Sequence, residues 1–358
     1  MSRPLVATSP VRVLVIDDSV VARRVVAHAI DAEPGLVLAG TAPNGRAAID
    51  KLGLLRPDVL VLDLDMPVMN GFEMLAAVRQ SHPDLPIIVF SHLTRSGAAA
   101  TLDALALGAT GFALKPRADG IGMAEELVRT ELLPLILAVA NRPADVVTPA
   151  APGLAPPAYQ TNLERAPITA VVIGVSTGGP NALAELIPCL PANLPVPVFI
   201  VQHMPAVFTQ MLAERLDRVA RVRVKEAAAS EPVVAGRVYV APGGRHMVVR
   251  GTPAFAEIEL TDGLPENSCR PSADVLFRSA AQVYGSGVAG VVLTGMGSDG
   301  LRGCEAVRAA GGVVMVQDAR TSVVASMPCA VADAGLANAV VPLREVGPTL
   351  VRWITGAA

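Results

Sequence analysis

The 358-residue chain predicts an α/β protein of two domains, each a parallel sheet layered with helices. Three observations carry this expectation. Apolar runs of strand length recur in both halves, at 11–16, 59–62, 87–90 and 111–114, and again at 171–175, 196–201, 288–293 and 313–316. They are continuous rather than alternating, as in strands buried on both faces, and helix-like stretches at 20–30, 71–80, 182–190 and 301–310 fall between them. Residues 134–166 turn to proline, alanine and threonine and lose periodicity, which predicts a semi-rigid linker between a domain at 1–133 and another at 167–358.

In the first half the strand ends are polar in a particular order. The first run stops at Asp17-Asp18-Ser19, the second at Asp63-Leu64-Asp65, the third at Ser91 and the fourth at Lys115-Pro116. Carboxylates gathered at the carboxyl edge of a sheet suit a hard divalent cation such as Mg²⁺, which takes few protein oxygens and leaves room for a phosphoryl group. Asp17, Asp18, Asp63 and Asp65 are the candidate ligands. With the Ser91 hydroxyl and the Lys115 ammonium they describe a phosphoryl-transfer site.

In the second half, Val171-Val172-Ile173-Gly174-Val175 runs into Ser176-Thr177-Gly178-Gly179-Pro180, a glycine-rich turn holding one serine. A serine nucleophile needs a base and donors for the developing oxyanion, and a turn that opens a helix offers backbone N–H groups. Of the five histidines, His203 ends a strand-like run before Met204-Pro205, at the edge where open α/β sheets gather their chemistry. His28 lies in a helical stretch, and His82 and His246 in loops, so structural roles are expected for them. Two acids follow strand-like runs, Asp299 and Asp318, and spacing does not choose between them. The glycine turn Thr294-Gly295-Met296-Gly297-Ser298-Asp299-Gly300 lets backbone approach a reacting group closely and favours Asp299.

Other readings of the serine turn are a helix N-cap, a phosphate loop and the G-x-S-x-G elbow of α/β-hydrolases. At the serine turn neither Gly-Lys-Ser/Thr nor G-x-G-x-x-G occurs, and the order serine, histidine, acid differs from the elbow family's serine, acid, histidine.

A net charge of −3 without a long basic cluster argues against nucleic acid as a partner; Arg221, Arg223 and Lys225 alternate with valine as one solvated strand face. Four cysteines without C-x-x-C pairs or metal-ligand spacing fit structural thiols in a reducing cytosol and predict no zinc site. No apolar signal core precedes Asp17, and the apolar stretch 132–140 is short and broken by proline, so membrane insertion is not expected and a cytoplasmic location is.

These motifs resemble two known families. Asp17-Asp18, Asp63 with Met66-Pro67 and Asn70-Gly71, and Lys115-Pro116 resemble a two-component receiver domain, which implies a flavodoxin-like, doubly wound sheet. The segment 173–180, Gln202-His203-Met204-Pro205, Ala241-Pro242-Gly243-Gly244, Arg270-Pro271-Ser272, Asp274-Val275-Leu276-Phe277 and the turn 294–300 resemble the catalytic domain of the chemotaxis protein-glutamate methylesterases, the CheB family, also doubly wound α/β. The resemblance implies Asp63 as phosphoacceptor, Ser91 and Lys115 as phosphate contacts, Phe112 as switch aromatic, and a Ser176–His203–Asp299 triad, leaving Asp318 structural. It implies Mg²⁺ in the receiver and no cofactor for the esterase. It also implies hydrolysis of glutamate γ-methyl esters on chemoreceptors, glutamine deamidation, and inhibition by the receiver until a sensor histidine kinase supplies phosphate. Thr177 and Met296 are the candidate oxyanion donors. His92, beside Ser91, departs from the small residue usual there. The competing classes are a phosphorylation-controlled binding module and an unrelated small-ester serine hydrolase.

Overall fold

A computed structural model describes residues 9–116, 121–140 and 166–356. The chain divides into two compact units, Met1–Arg142 and Pro143–Ala358.

The first unit alternates strand and helix: β1 (Val11–Ile16), α1 (Val20–Ala32), β2 (Leu36–Ala42), α2 (Gly45–Leu55), β3 (Val59–Leu62), α3 (Gly71–Ser81), β4 (Ile87–Ser91), α4 (Arg95–Ala106), β5 (Gly111–Leu114), α5 (Ile121–Leu127) and α6 (Leu133–Ala140). Its sheet is wholly parallel in the order β2-β1-β3-β4-β5. The order reverses between β1 and β3, so right-handed crossovers place helices on both faces and open a crevice at the carboxyl ends of those two strands. Polar residues cap the helices that leave the strand ends: the Ser19 hydroxyl accepts from the Ala22 N–H at 3.3 Å, and Asn70 and Glu73 form a reciprocal capping box on α3.

The expected linker start at residue 134 is displaced by the structure. Residues 133–140 are helical, with Leu133, Leu135, Ile136 and Val139 buried, because the apolar run there completes the first domain's core. Pro134 is tolerated because the preceding turn, Val128–Leu132, is a π-helix whose wider ring, closed by Leu133 N–H to the Val128 carbonyl, makes room for it. The rest of the linker lies outside the described residues.

The second unit contains β6 (Ala170–Val175), α7 (Gly179–Leu186), β7 (Val198–Gln202), α8 (Ala206–Val219), β8 (Arg223–Glu226), β9 (Glu231–Pro232), β10 (Arg237–Val240), β11 (His246–Thr252), β12 (Phe255–Thr261), α9 (Ala273–Tyr284), β13 (Val288–Val292), α10 (Leu301–Ala309), β14 (Val313–Gln317), α11 (Ser326–Asp333), β15 (Ala339–Val341) and α12 (Leu343–Thr355). Seven strands pair in the order β15-β14-β13-β6-β7-β10-β8. β6 is the switch strand, with β7 on one side and β13 on the other. Burial on both faces explains the valine-rich apolar character of β6, β7 and β13, all of whose residues are buried.

One layer departs from the purely parallel expectation. β11 and β12 form an antiparallel hairpin that, with β9, makes a separate three-stranded sheet. It buries Met247, Val249 and Ile258 in the same core as Phe277 of α9 and Phe199 of β7.

Candidate active site

Ser176, His203 and Asp299 follow β6, β7 and β13, three strands adjacent in the sheet. The serine turn is held from two sides. The Ser176 N–H donates to the Thr294 carbonyl at 3.0 Å, and the buried Gln202 amide donates from Nε2 to the Ser176 carbonyl at 2.9 Å. Gly295 permits the close approach of the two glycine turns: a Cβ there would lie 2.8 Å from Ser176 Cβ and 2.2 Å from Met327 Sδ.

His203 Nε2 bonds to Asp299 Oδ2 at 2.7 Å, with the carboxylate 1% exposed. Asp299 is anchored at the amino end of α9. Oδ2 also accepts from the Ala273 N–H at 2.6 Å, while Oδ1 accepts from Ser272 Oγ at 2.8 Å, Asn267 Nδ2 at 3.1 Å, and the N–H groups of Asp274 and Gly300 at 3.1 Å. Burial alone would raise this carboxyl, but those donors, His203 foremost, outweigh it and hold the pKa down at about 2. Burial likewise opposes charge on the imidazole, yet the Asp299 bond and the Cys269 sulphur beside the ring push His203 up to about 9. With Nε2 committed to the ionised aspartate, Nδ1 is the ring nitrogen left to exchange a proton with a substrate or nucleophile. Cys269 Sγ lies 3.6 Å from it.

The structure thus joins His203 to Asp299 directly. Ser176 Oγ makes no hydrogen bond among the described residues and stands on the strand between them. The backbone N–H groups of Thr177 and Met296 donate to no acceptor among the described residues. Asp318 lies one strand farther out, after β14, and its Oδ1 accepts from the Thr321 N–H at 2.9 Å and the Thr321 hydroxyl at 2.5 Å. His246 braces the same region as a structural group, its Nδ1 accepting from the Ser272 N–H at 3.2 Å and its Nε2 donating to the Leu264 carbonyl at 3.0 Å.

Asn267 escapes sequence reasoning, whereas Gln202, Ser272 and Asp274 stand in the family motifs with no role assigned to them. Asp274 Oδ1 accepts from the N–H groups of Gly300 and Gly303 at 2.9 and 2.6 Å, fixing the loop that carries Asp299. The usable signal was the run of polar residues just ahead of an amphipathic helix, whose free N-terminal N–H groups draw a carboxylate.

In the first unit the carboxyl ends of β1, β3 and β5 bring Asp17, Asp63 and Lys115 together. Lys115 Nζ lies 2.7 Å from Asp17 Oδ2 and 2.8 Å from Asp63 Oδ2, all nearly buried. Burial raises the Asp63 carboxyl, and the Lys115 ammonium partly offsets it. Oxygens of Asp17, Asp18 and Asp63 lie within 4.8 Å of one another, a hard-donor set that fits a divalent cation. The Asp65 side chain, expected as a fourth ligand, is exposed and outside that set, since the turn after β3 directs it to solvent. Ser91, buried at the end of β4, lines one cavity with Asp63, Asp65 and the exposed His92. Phe112 sits on β5 opposite Val89.

A receiver-type sheet with an acidic pocket, followed by an α/β domain with serine, histidine and aspartate at its switch strand, defines a response regulator with a hydrolase output. The profile of the CheB methylesterase family matches residues 171–350, and that of the response regulator receiver domain residues 13–141. A protein-glutamate methylesterase/protein-glutamine glutaminase of Nocardioides is 47% identical over 350 residues, covering 96% of this chain and 95% of that protein. A second relative of that name, from Caulobacter vibrioides, is 45% identical over 94% of this chain and 97% of its own length. The solved catalytic domain of the Thermotoga maritima CheB methylesterase is 41% identical, covers 52% of this chain and 99% of its own, and superposes with a TM-score of 0.51. The chain belongs to the CheB methylesterase family. Among the described residues no helix is long and apolar enough to cross a membrane.

Proposed function

We propose that this chain hydrolyses glutamate γ-methyl esters on chemoreceptors, releasing methanol, and deamidates receptor glutamines at the same site. His203 Nδ1 takes the Ser176 proton as Oγ attacks the ester carbonyl; Asp299 holds the Nε2–H tautomer and stabilises the imidazolium that forms. The imidazolium returns the proton to the leaving methoxide, and water, activated by the same nitrogen, then frees the glutamate and restores Ser176. The N–H groups of Thr177 and Met296 receive the oxyanion. A primary amide presents the same carbonyl, with ammonia as leaving group.

Control comes from the receiver. Asp63 accepts a phosphoryl group from a sensor histidine kinase, Ser91 and Lys115 bind its oxygens, and Phe112 responds. Asp17, Asp18 and Asp63 would hold Mg²⁺, which when bound offsets the charge gathered around the phosphoryl oxygens. The unphosphorylated receiver restrains the esterase. Work in the cytoplasm, with neither nucleic acid nor membrane insertion involved, follows from this reading.

The observation that carries the proposal is the position of Ser176, His203 and Asp299 on adjacent strand ends, with His203 and Asp299 already bonded at 2.7 Å. The test is methanol release from methylated receptor with and without a small phosphodonor. Stimulation in the unaltered chain, absent from Asp63→Asn while its basal release persists, is expected. No release from the unaltered chain would overturn the esterase reading, and equal stimulation of Asp63→Asn would overturn the assignment of the phosphoacceptor.

A further inference from the structure

Cys269 faces the free nitrogen of His203 from a braced turn. Residues 266–269 close on themselves, the Cys269 N–H donating to the Glu266 carbonyl at 2.9 Å and the Glu266 N–H to the Cys269 carbonyl at 3.1 Å. Asn267 and Ser268 between them have φ of 52° and 61°, as a tight primed turn requires. The turn is tied down on both flanks. Glu266 pairs with Arg278 of α9 at 2.7 and 2.6 Å, and Asn267 Nδ2 donates to Asp274 at 2.8 Å as well as to Asp299. Cys269 is a half-buried residue rather than one enclosed in the core.

We propose that His203 Nδ1 and Cys269 Sγ chelate a thiophilic divalent cation, Zn²⁺ by chemical class, and that this binding switches the esterase off. The inhibition, though not the binding, rests on the catalytic reading above. The distance supports the chelate: nitrogen and sulphur ligands at about 2.0–2.1 and 2.3 Å from a tetrahedral zinc stand about 3.6 Å apart. The two atoms here are 3.6 Å apart. The outer shell is in place too, since metal-bound imidazoles commonly donate their other N–H to a carboxylate, as His203 Nε2 does to Asp299. Ligand atoms of His203, Cys269 and Asp299 lie within 4.8 Å of one another. On binding, the Cys269 thiol and the imidazolium Nδ1 each lose a proton to solvent; the thiolate forms the Zn–S bond and the freed Nδ1 lone pair the Zn–N bond. That lone pair is the one that would take the Ser176 proton, so the metal removes the general base without touching the serine. Water or substrate oxygen completes the coordination.

The experiment uses the full chain in Mg²⁺-containing buffer, so that the receiver's oxygen site is occupied. Cobalt(II) is the spectroscopic probe, because a thiolate ligand gives a charge-transfer band that carboxylates do not. One equivalent of Co²⁺ should give this band, Zn²⁺ should bleach it, and Zn²⁺ should slow methanol release. In Cys269→Ser the band should vanish, and the zinc concentration for half-inhibition, taken against that variant's own metal-free rate, should rise at least tenfold. Ser176→Ala, inactive on the catalytic reading, should keep the band, so loss of turnover and loss of metal are separated. In the unaltered chain Zn²⁺ should protect Cys269 from iodoacetamide while the exposed Cys189 stays reactive. A band that survives Cys269→Ser, or alkylation of Cys269 unaffected by Zn²⁺, overturns the site. A Cys269-dependent band with methanol release unchanged by Zn²⁺ overturns the inhibition.

Discussion

Replacing Asp299 with asparagine tests how the site is built, because the carboxylate is surrounded only by donors. It accepts six hydrogen bonds, from His203, Ala273, Ser272, Asn267, Asp274 and Gly300. An asparagine NH₂ must replace one oxygen. If it replaces Oδ2, it meets the Ala273 N–H and forces His203 to turn its lone pair toward it, leaving a proton on Nδ1 where the base should be. If it replaces Oδ1, it meets four donors. At about 1–3 kcal/mol for each buried donor left without an acceptor, two such donors cost roughly 2–6 kcal/mol of stability. The wrong tautomer costs turnover on the order of 10⁴-fold, the magnitude known for the equivalent change in a serine protease triad. Urea unfolding reads the first and methanol release per folded molecule the second. A folded Asp299→Asn protein within tenfold of the parent turnover would refute the idea that the carboxylate sets the tautomer.

Further predictions come from the geometry of the two sites. With His203 pushed up to about 9, the imidazole is protonated across neutral pH, so in chelator-treated enzyme kcat/KM should rise about tenfold per pH unit and level off above that value. Cys269→Ala removes a group that raises it and should move this limb to lower pH; an unmoved limb would mean the sulphur does not act on the ring. Gly295→Ala puts a methyl 2.2 Å from Met327 Sδ and 2.8 Å from Ser176 Cβ, and should cost about 1–3 kcal/mol by overpacking. Its kcat should fall more than its KM rises, as steady-state kinetics will show. Lys115→Ala leaves the buried Asp17 and Asp63 without their shared cation and should cost about 3–5 kcal/mol in chelator, read by urea unfolding, and abolish phosphodonor stimulation.

The elements most legible in the sequence were the buried strands, because β6, β7 and β13 are apolar runs that give way to polar residues at their carboxyl ends. Ser176 and His203 could be named from that pattern. Spacing did not choose between Asp299 and Asp318, since each follows such a run; the glycine turn favoured Asp299, and the structure adds that β13 neighbours β6, whereas β14 lies one strand out. The β11–β12 hairpin is not legible because charged residues interrupt it, and its buried residues Met247, Val249 and Ile258 pack against α9, a contact local pattern does not encode. The helix at 133–140 overlaps the expected linker because Pro134 stands within it, and the π-turn that accommodates the proline leaves no signature in composition. The Cys269–His203 contact joins residues 66 positions apart, so spacing rules for metal ligands pass over it.

The most direct measurement is methanol release from methylated chemoreceptor by the full chain carrying Ser176→Ala, with folding verified by its unfolding curve. Release should drop to the uncatalysed background while Asp63 still accepts phosphate. Release near the parent rate from a folded Ser176→Ala protein would contradict the proposed mechanism at its first step.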